Sequence, residues 1–381
     1  MTARKIVYMR SKGNQPAIFV YNRLEKGLGA GGPAVRYEKM KALKLVAPGT
    51  MEVQEVEIPK CEPGDVLIKV AYAGICGTDL HAYMGEYSRT KFPVVLGHEL
   101  SGVIAEVGEG VTKFKVGDRV TCESTYKPCG TCRYCRKKEY NLCGKRIGIG
   151  TNKDGAFEEY MTMQADRVWK LPDNVSLRSA AISEPLACGT HAVMEIGKVQ
   201  EGETVVVFGA GAIGLMVAQV AVAVGATVVL AGLTIDEPRF AIAKEMGVQV
   251  CVDQMKENLV DVVMGITEGG ADAAFECSGA VPAFNKAFDV LHKGGRIIQM
   301  GLFKGDSIPM PWEKVVQNEI SILGSRSQKP SSWQKAMDLF ASGKIVPEKA
   351  VTMEVPVEDW KEAFDTPPSG KKFIKFDDFG E

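Results

Sequence analysis

Between Met40 and about Asp166, apolar and polar positions alternate in short runs. Val66-Leu67-Ile68-Lys69-Val70, Gly102-Val103-Ile104-Ala105-Glu106-Val107 and Asp118-Arg119-Val120-Thr121 are brief and rich in β-branched residues. Turns at Pro63-Gly64-Asp65, Gly108-Glu109-Gly110 and Val116-Gly117-Asp118 punctuate them, a rhythm that predicts a compact β domain. From about His191 the texture changes. Strand-like runs at 205–208, 227–231, 250–252, 271–276 and 295–301 alternate with helix-like stretches, including 240–246, and this predicts a parallel sheet covered by helices. After about Ser327 a helix-like stretch, 332–342, and a strand-like Lys372-Phe373-Ile374-Lys375-Phe376 are expected to return to the first domain.

The second region opens on Val205-Val206-Val207-Phe208-Gly209-Ala210-Gly211-Ala212-Ile213-Gly214. Strand, tight turn and helix follow in that order. Gly209 permits the turn, Gly211 lets a pyrophosphate approach the backbone, Gly214 lets helix and strand pack closely, and Ala212 and Ile213 begin the helix whose N-terminus faces negative charge. In a chain with 41 glycines such a triplet can be merely structural, but its flanking strand and helix point to dinucleotide binding.

A length of 381 residues exceeds what one core usually organises, so two domains are expected. Hydrophobic content of 45%, charged content of 24% and a net charge of −1 describe an ordinary globular protein with no call for a polyanion partner. No apolar run reaches the roughly 18 residues of a membrane span, and the N-terminus lacks the apolar core of a secretion signal. The expectation is a cytoplasmic protein. Its ten cysteines are then expected to stay reduced, for metal binding or simple burial. Residues 1–39, basic and carrying Gly27-Leu28-Gly29-Ala30-Gly31-Gly32-Pro33, read as a poorly ordered extension, with a natural start at Met40 as one reading; Glu25 and Glu38 argue against a targeting peptide. The expected organisation is an extension over 1–39, a catalytic domain over 40–190, a dinucleotide-binding domain over 191–327 and a return to the catalytic domain over 328–381.

The cysteine spacing is informative. Cys129-x-x-Cys132-x-x-Cys135, followed after seven residues by Cys143, sets four thiolates on one short lobe, as suits tetrahedral zinc in a structural role. A second set is scattered: Cys76 in Gly74-Ile75-Cys76-Gly77-Thr78-Asp79-Leu80-His81, then Gly97-His98-Glu99, then Ser183-Glu184-Pro185. Sulfur, imidazole and carboxylate together fit a catalytic zinc with an open position. Singly, Cys76 and His98 read equally as core residues and Glu99 and Glu184 as surface charges.

Taken together, these motifs with Glu276-Cys277-Ser278-Gly279 resemble the zinc-dependent medium-chain alcohol dehydrogenases, especially the sorbitol (L-iditol) and threonine dehydrogenase branch. The resemblance runs from Met40 almost to the C-terminus. It implies an α/β protein: a GroES-like, β-rich catalytic domain made from both ends of the chain, with an inserted Rossmann domain. It also implies two Zn2+ per chain and hydride transfer from an alcohol to NAD or NADP. By position, Cys76, His98 and Glu99 match the catalytic zinc ligands, and Glu184 matches a carboxylate that binds the metal directly or through water. Asp79 matches the acid that orients the ligand imidazole, and Thr78 and His81 match the proton relay to solvent. Thr78 and Asp79 read alternatively as helix caps and His81 as an exposed helical residue.

Where NAD-specific relatives carry an acidic residue at the end of the second Rossmann strand, this chain has Gly232. Thr234 and Arg239 then offer groups for the 2′-phosphate of NADP, whereas Asp236 or Glu237 could restore the charge that favours NAD. Two acidic groups at the metal imply polyols or other polar secondary alcohols. The Arg-Tyr pair of sorbitol dehydrogenases is not evident in Gly324-Ser325-Arg326-Ser327-Gln328, where only Arg326 and Ser327-Gln328 are loosely comparable; this argues against sorbitol itself and leaves threonine, 2,3-butanediol and phosphorylated polyols open. A non-enzymatic dinucleotide sensor would be expected to lose the zinc ligands retained here. A nucleic-acid-binding zinc module is disfavoured, because Arg133 and Arg136-Lys137-Lys138 form only a local cluster. The resemblance further implies a homo-oligomer, tetramer or dimer.

Overall fold

Strand Asp65–Ile75 is the axis of the first domain, and all of its residues except Lys69 are buried. The computed structural model, which describes residues 5–10, 16–21, 39–305, 307–367 and 369–380, places it in a seven-stranded sheet. Across that sheet lie Val168–Lys170, Arg119–Cys122, Glu99–Val107, Asp65–Ile75, Lys371–Lys375 and Val351–Pro356, and Tyr160–Gln164 also pairs with Asp65–Ile75. A three-stranded sheet of Thr50–Glu57, Lys39–Ala47 and Val94–Val95 completes the β-rich part. The strand-like C-terminal run thus joins the first sheet, antiparallel to Asp65–Ile75.

The second region forms a six-stranded parallel sheet in the order Val250–Asp253, Thr227–Gly232, Thr204–Phe208, Ala271–Glu276, Leu291–Gln299 and Ser321–Gly324. By chain order this is 3-2-1-4-5-6, the doubly wound arrangement whose ligand crevice opens at the C-terminal ends of the strands. Apolar side chains of Thr204–Phe208 fill both faces: Val205 and Val207 pack into one core cluster, Val206 and Phe208 into another. That explains a strand read as a continuous apolar run.

Two helical segments join the domains. Helix Ser183–Thr190 runs into a π-helical turn, His191–Ile196, and the chain returns through helix Pro330–Ser342. Thr190 Oγ1 donates to the Ser332 carbonyl at 2.8 Å, and the fully buried Trp333 stacks near-parallel on Trp169. Within the stretch expected to be a poorly ordered extension, Lys5–Arg10 and Pro16–Tyr21 pair as antiparallel strands, consistent with their β-branched and aromatic content. The Gly27–Pro33 run lies outside the described residues.

Candidate active site

Register brings the scattered candidate ligands together. Gly74 is the partner of Glu99 across the two neighbouring strands, so Cys76, just beyond Ile75, faces His98 and Glu99, just before Leu100. Potential ligand atoms of Cys76, His98 and Glu99 all lie within 4.8 Å of one another. A Cβ on Gly74 would come within 2.2 Å of Glu99 Oε2; the glycine therefore leaves the carboxylate its space. Sulfur near 2.3 Å and nitrogen or oxygen near 2.0–2.2 Å from a shared zinc are compatible with this spread. Glu99 Oε2 is buried and faces the Lys371 ammonium, so the carboxylate is charge-compensated from within the protein.

Asp79 ties together the loops that carry Cys76 and His98. Its Oδ2 accepts from the Cys76 amide at 2.8 Å and its Oδ1 from the Gly97 amide at 3.1 Å, while His98 Nδ1 lies 3.5 Å from Oδ1. Asp79 is 1% exposed. The residue caps helix Gly77–Tyr83 with the same carboxylate that faces His98. Burial favours a neutral His98, but Asp79 and Cys76 outweigh it and hold the imidazole pKa well above the ordinary value. Thr78 Oγ1 sits 3.8 Å from Cys76 Sγ, and His81, exposed one helical turn on, pairs with Glu86 at 2.7 Å.

Glu184 is buried close by but outside the three-residue cluster. Its Oε1 accepts from Gln328 Nε2 at 3.2 Å and from Cys188 Sγ at 3.7 Å. Lys371 is a residue that motif reading missed, and Gln328 reaches the Glu184 carboxylate. Lys371 Nζ donates to Glu99 Oε1 at 2.5 Å and to the Ile75 carbonyl at 3.0 Å, held there because Lys372 pairs with Ile75. Burial raises the Glu99 carboxyl pKa and Lys371 opposes it; burial prevails.

The four-cysteine lobe is compact. Cys129, Cys132, Cys135 and Cys143 converge, with sulfur separations of 3.8 Å for Cys129–Cys135 and 3.4 Å for Cys132–Cys135. Sulfurs bound near 2.3 Å to one zinc sit about 3.8 Å apart in a tetrahedron, whereas a disulfide needs about 2.05 Å. Backbone amides of Thr131 and Cys132 hold the Cys129 thiol down to about 6, which favours the thiolate a metal requires.

At the glycine turn, Gly209 adopts φ +95, and a Cβ on Gly214 would lie 1.9 Å from the Gly209 carbonyl. A Cβ on Gly211 would meet nothing within 4 Å. Open space there, at the N-terminus of helix Ala212–Val224, is what an approaching pyrophosphate needs. Glu276, fully buried, accepts from the Ser278 and Gly279 amides at 2.8 and 3.0 Å and seats the loop that packs on Gly209.

The adenosine end differs from the 2′-phosphate reading. Arg239 is ion-paired with Asp236, and Thr234 Oγ1 donates to Asp253 at 2.7 Å. Asp236 Oδ2, which accepts from the Leu233 amide at 3.0 Å, lies 2.8 Å from where a Gly232 Cβ would be. A carboxylate thus occupies the place left by the missing acidic residue.

Residues 62–173 match the alcohol dehydrogenase GroES-like domain and residues 212–342 match the zinc-binding dehydrogenase domain. The chain belongs to the zinc-dependent medium-chain alcohol dehydrogenases. It is 44% identical to D-arabitol-phosphate dehydrogenase of Enterococcus avium, over 87% of this chain and 96% of that protein. It is 45% identical to sorbitol dehydrogenase of Halalkalibacterium halodurans, over 87% of this chain and 97% of that one. A solved zinc-binding dehydrogenase from Sinorhizobium meliloti, bound to NADP, superposes with a TM-score of 0.83 at 30% identity, over 89% of this chain and 99% of that one. This dehydrogenase is a zinc-dependent, NAD(P)-linked oxidoreductase of small alcohols with the GroES-like plus Rossmann fold. Among its described residues, no helix is long and apolar enough to cross a membrane.

Proposed function

We propose that the enzyme oxidises a secondary hydroxyl of a polyol, or a similarly polar alcohol, at the site built by Cys76, His98 and Glu99. The observation that carries this is the pair of buried carboxylates, Glu99 and Glu184, beside Cys76 and His98: hydroxyl-rich substrates can hydrogen-bond such groups and alkyl chains cannot. Zinc held there supplies Lewis acidity toward the substrate hydroxyl, and the dinucleotide on the glycine turn supplies the hydride acceptor. Cys76, His98 and Glu99 bind the metal, and Asp79 keeps His98 oriented. Glu184, turned toward Gln328, acts through a water rather than as a direct ligand. Thr78 takes the alcohol proton and His81, exposed above it, passes the proton to solvent. Cys129, Cys132, Cys135 and Cys143 hold a second, structural zinc.

NAD is the dinucleotide we assign by preference, because Asp236 restores negative charge beside Gly232 and occupies Arg239. The subunit acts in the cytoplasm, where its thiols stay reduced, and assembles with copies of itself. Edge strand Ser321–Gly324 and the exposed Leu302, Trp312 and Val316 support assembly. A monomer by light scattering would refute that last assignment.

The test is NAD(P)H formation by zinc-replete enzyme across polyols, L-threonine and 2,3-butanediol, with each dinucleotide in turn. Turnover of a polyol with a higher kcat/KM for NAD is expected. Turnover of threonine alone would replace polyols with an amino-acid substrate, and a clear NADP preference would overturn the reading of Asp236.

A further inference from the structure

Three separate segments, each carrying an arginine, converge beside the alcohol site. Arg146 precedes the short strand Ile147–Gly148 in the zinc-lobe region, and its Nη1 donates to Thr125 Oγ1 at 3.2 Å. Arg89 lies in the loop after helix Gly77–Tyr83, its carbonyl held by Asn152 Nδ2 at 3.1 Å. Arg326 comes from the other domain, just past strand Ser321–Gly324, with its carbonyl held by Asn141 Nδ2 at 3.0 Å. Their connection to the catalytic carboxylate is short. Ser124, the neighbour of Thr125, accepts from Gln328 at 2.7 Å, and the same Gln328 nitrogen donates to Glu184 at 3.2 Å.

These like charges are close enough to affect one another. Burial, then the charges of Arg326 and Arg89, hold the Arg146 guanidinium below its ordinary pKa, while Tyr87 and Glu184 pull the other way. Among the described residues, none of the three forms an ion pair. The hydroxyls next to two of them, Thr90 Oγ1 beside Arg89 and Ser325 Oγ beside Arg326, are buried without a hydrogen-bond partner. Guanidiniums without an acidic partner, on segments that also carry unsatisfied buried hydroxyls, form a donor set that lacks an acceptor-rich anion.

We propose that Arg89, Arg146 and Arg326 bind the phosphate of a phosphate monoester, so that the preferred substrate is a phosphorylated polyol oxidised at a hydroxyl a few carbons from its phosphate. This rests on the alcohol site proposed above and adds the group that orients the substrate in it. The peptide donors at the glycine turn serve the dinucleotide pyrophosphate, so the arginine cluster is a separate anion site. A dianionic phosphate suits several guanidiniums better than the single charge of an amino-acid carboxylate.

The experiment compares five- and six-carbon alditol monophosphates with the parent alditols and with L-threonine, using zinc-loaded wild type, Arg146→Ala and Arg326→Ala. Wild type is expected to favour the monophosphates by at least tenfold in kcat/KM, and inorganic phosphate is expected to compete with them. Each variant is expected to lose about a hundredfold on monophosphates, about 2.7 kcal/mol, with a loss at least tenfold smaller on parent alditols. The KM of the dinucleotide should not move. Equal losses on both substrate types would overturn the proposal while leaving the alcohol site standing. A raised dinucleotide KM would assign the arginines to the cofactor, and the same dependence with threonine would make the site a carboxylate clamp. Inactivity of wild type on every alcohol, with zinc and dinucleotide bound, would instead sink the alcohol-site reading itself.

Discussion

Lys371 sets its ammonium 2.5 Å from Glu99 Oε1, so one carboxylate serves both as an ion-pair partner and as a candidate metal ligand. Both side chains are almost fully buried. Removing one partner of a buried pair strands the other charge, at a cost of about 3–5 kcal/mol. Lys371→Met is therefore expected to be strongly destabilised when zinc is chelated and much less so when zinc is present, because the dication can take over neutralising Glu99. Urea unfolding of wild type and variant, each with zinc and with chelator, gives the difference. An identical deficit in both conditions would mean that Lys371 supports the sheet and not the carboxylate.

The two thiolate sites should separate by metal analysis. Cys76→Ser is expected to retain the lobe zinc, lose the other and abolish turnover, with dinucleotide affinity little changed. Cys135→Ser is expected to lose the lobe zinc and fall in stability, since structural zinc contributes directly to folding. Zinc content of each purified variant, read beside its thermal midpoint, is the check. Wild-type turnover by Cys76→Ser would refute its assignment as a ligand of the reacting metal.

What could be read along the chain was what lies close together in it. Cys129 to Cys143 and Gly209 to Gly214 carry their geometry within one loop each, so spacing alone implied convergence. Lys371 and Glu99 are 272 residues apart, and Gln328 and Glu184 are 144 apart; only strand register and domain closure bring them together. One lysine among 46 basic residues carries no local mark of that role. At Gly232 the missing carboxylate was visible, but the identity of the group that fills its place was not. The tight turn Thr234–Asp236 folds Asp236 back onto the strand end, a result of backbone path and not of residue type.

That turn leads to a prediction about cofactor choice. A Cβ at Gly232 would lie 2.8 Å from Asp236 Oδ2 and 2.9 Å from Phe240 Cζ, so Gly232→Asp crowds a filled space. It should cost about 1–3 kcal/mol of stability and give no gain in NAD preference. Asp236→Ala removes the charge beside the ribose and releases Arg239, and is expected to raise kcat/KM for NADP relative to NAD by about tenfold. Steady-state kinetics with both dinucleotides decides it, and an unchanged ratio would show that Asp236 does not read the 2′ position.

Glu195 ties the two interdomain segments and should make that junction acid-sensitive. Its carboxylate lies in the π-helical turn, 2.8 Å from His191 Nδ1 and 2.7 Å from Lys335 Nζ, with Lys329 at 3.4 Å. Lys329 immediately precedes helix Pro330–Ser342, and Lys335 lies within it. Burial pushes the Glu195 pKa up, but hydrogen bonds from His191, Lys335 and Ser331 and the charge of Lys329 outweigh it and hold the carboxyl far below the ordinary range. A carboxyl depressed on folding contributes stability that is fully present above its unfolded pKa, about 4.3, and that is lost as pH falls toward the folded value. Glu195→Gln should thus be about 2–3 kcal/mol less stable than wild type at neutral pH, and the gap should narrow below about pH 4 as wild type loses the same interaction. Denaturant unfolding of both proteins across pH 3–8 measures that gap. A deficit that stays constant down to the acid end would mean that the glutamine disrupts packing at the junction, and that the charge of Glu195 contributes nothing to holding the domains together.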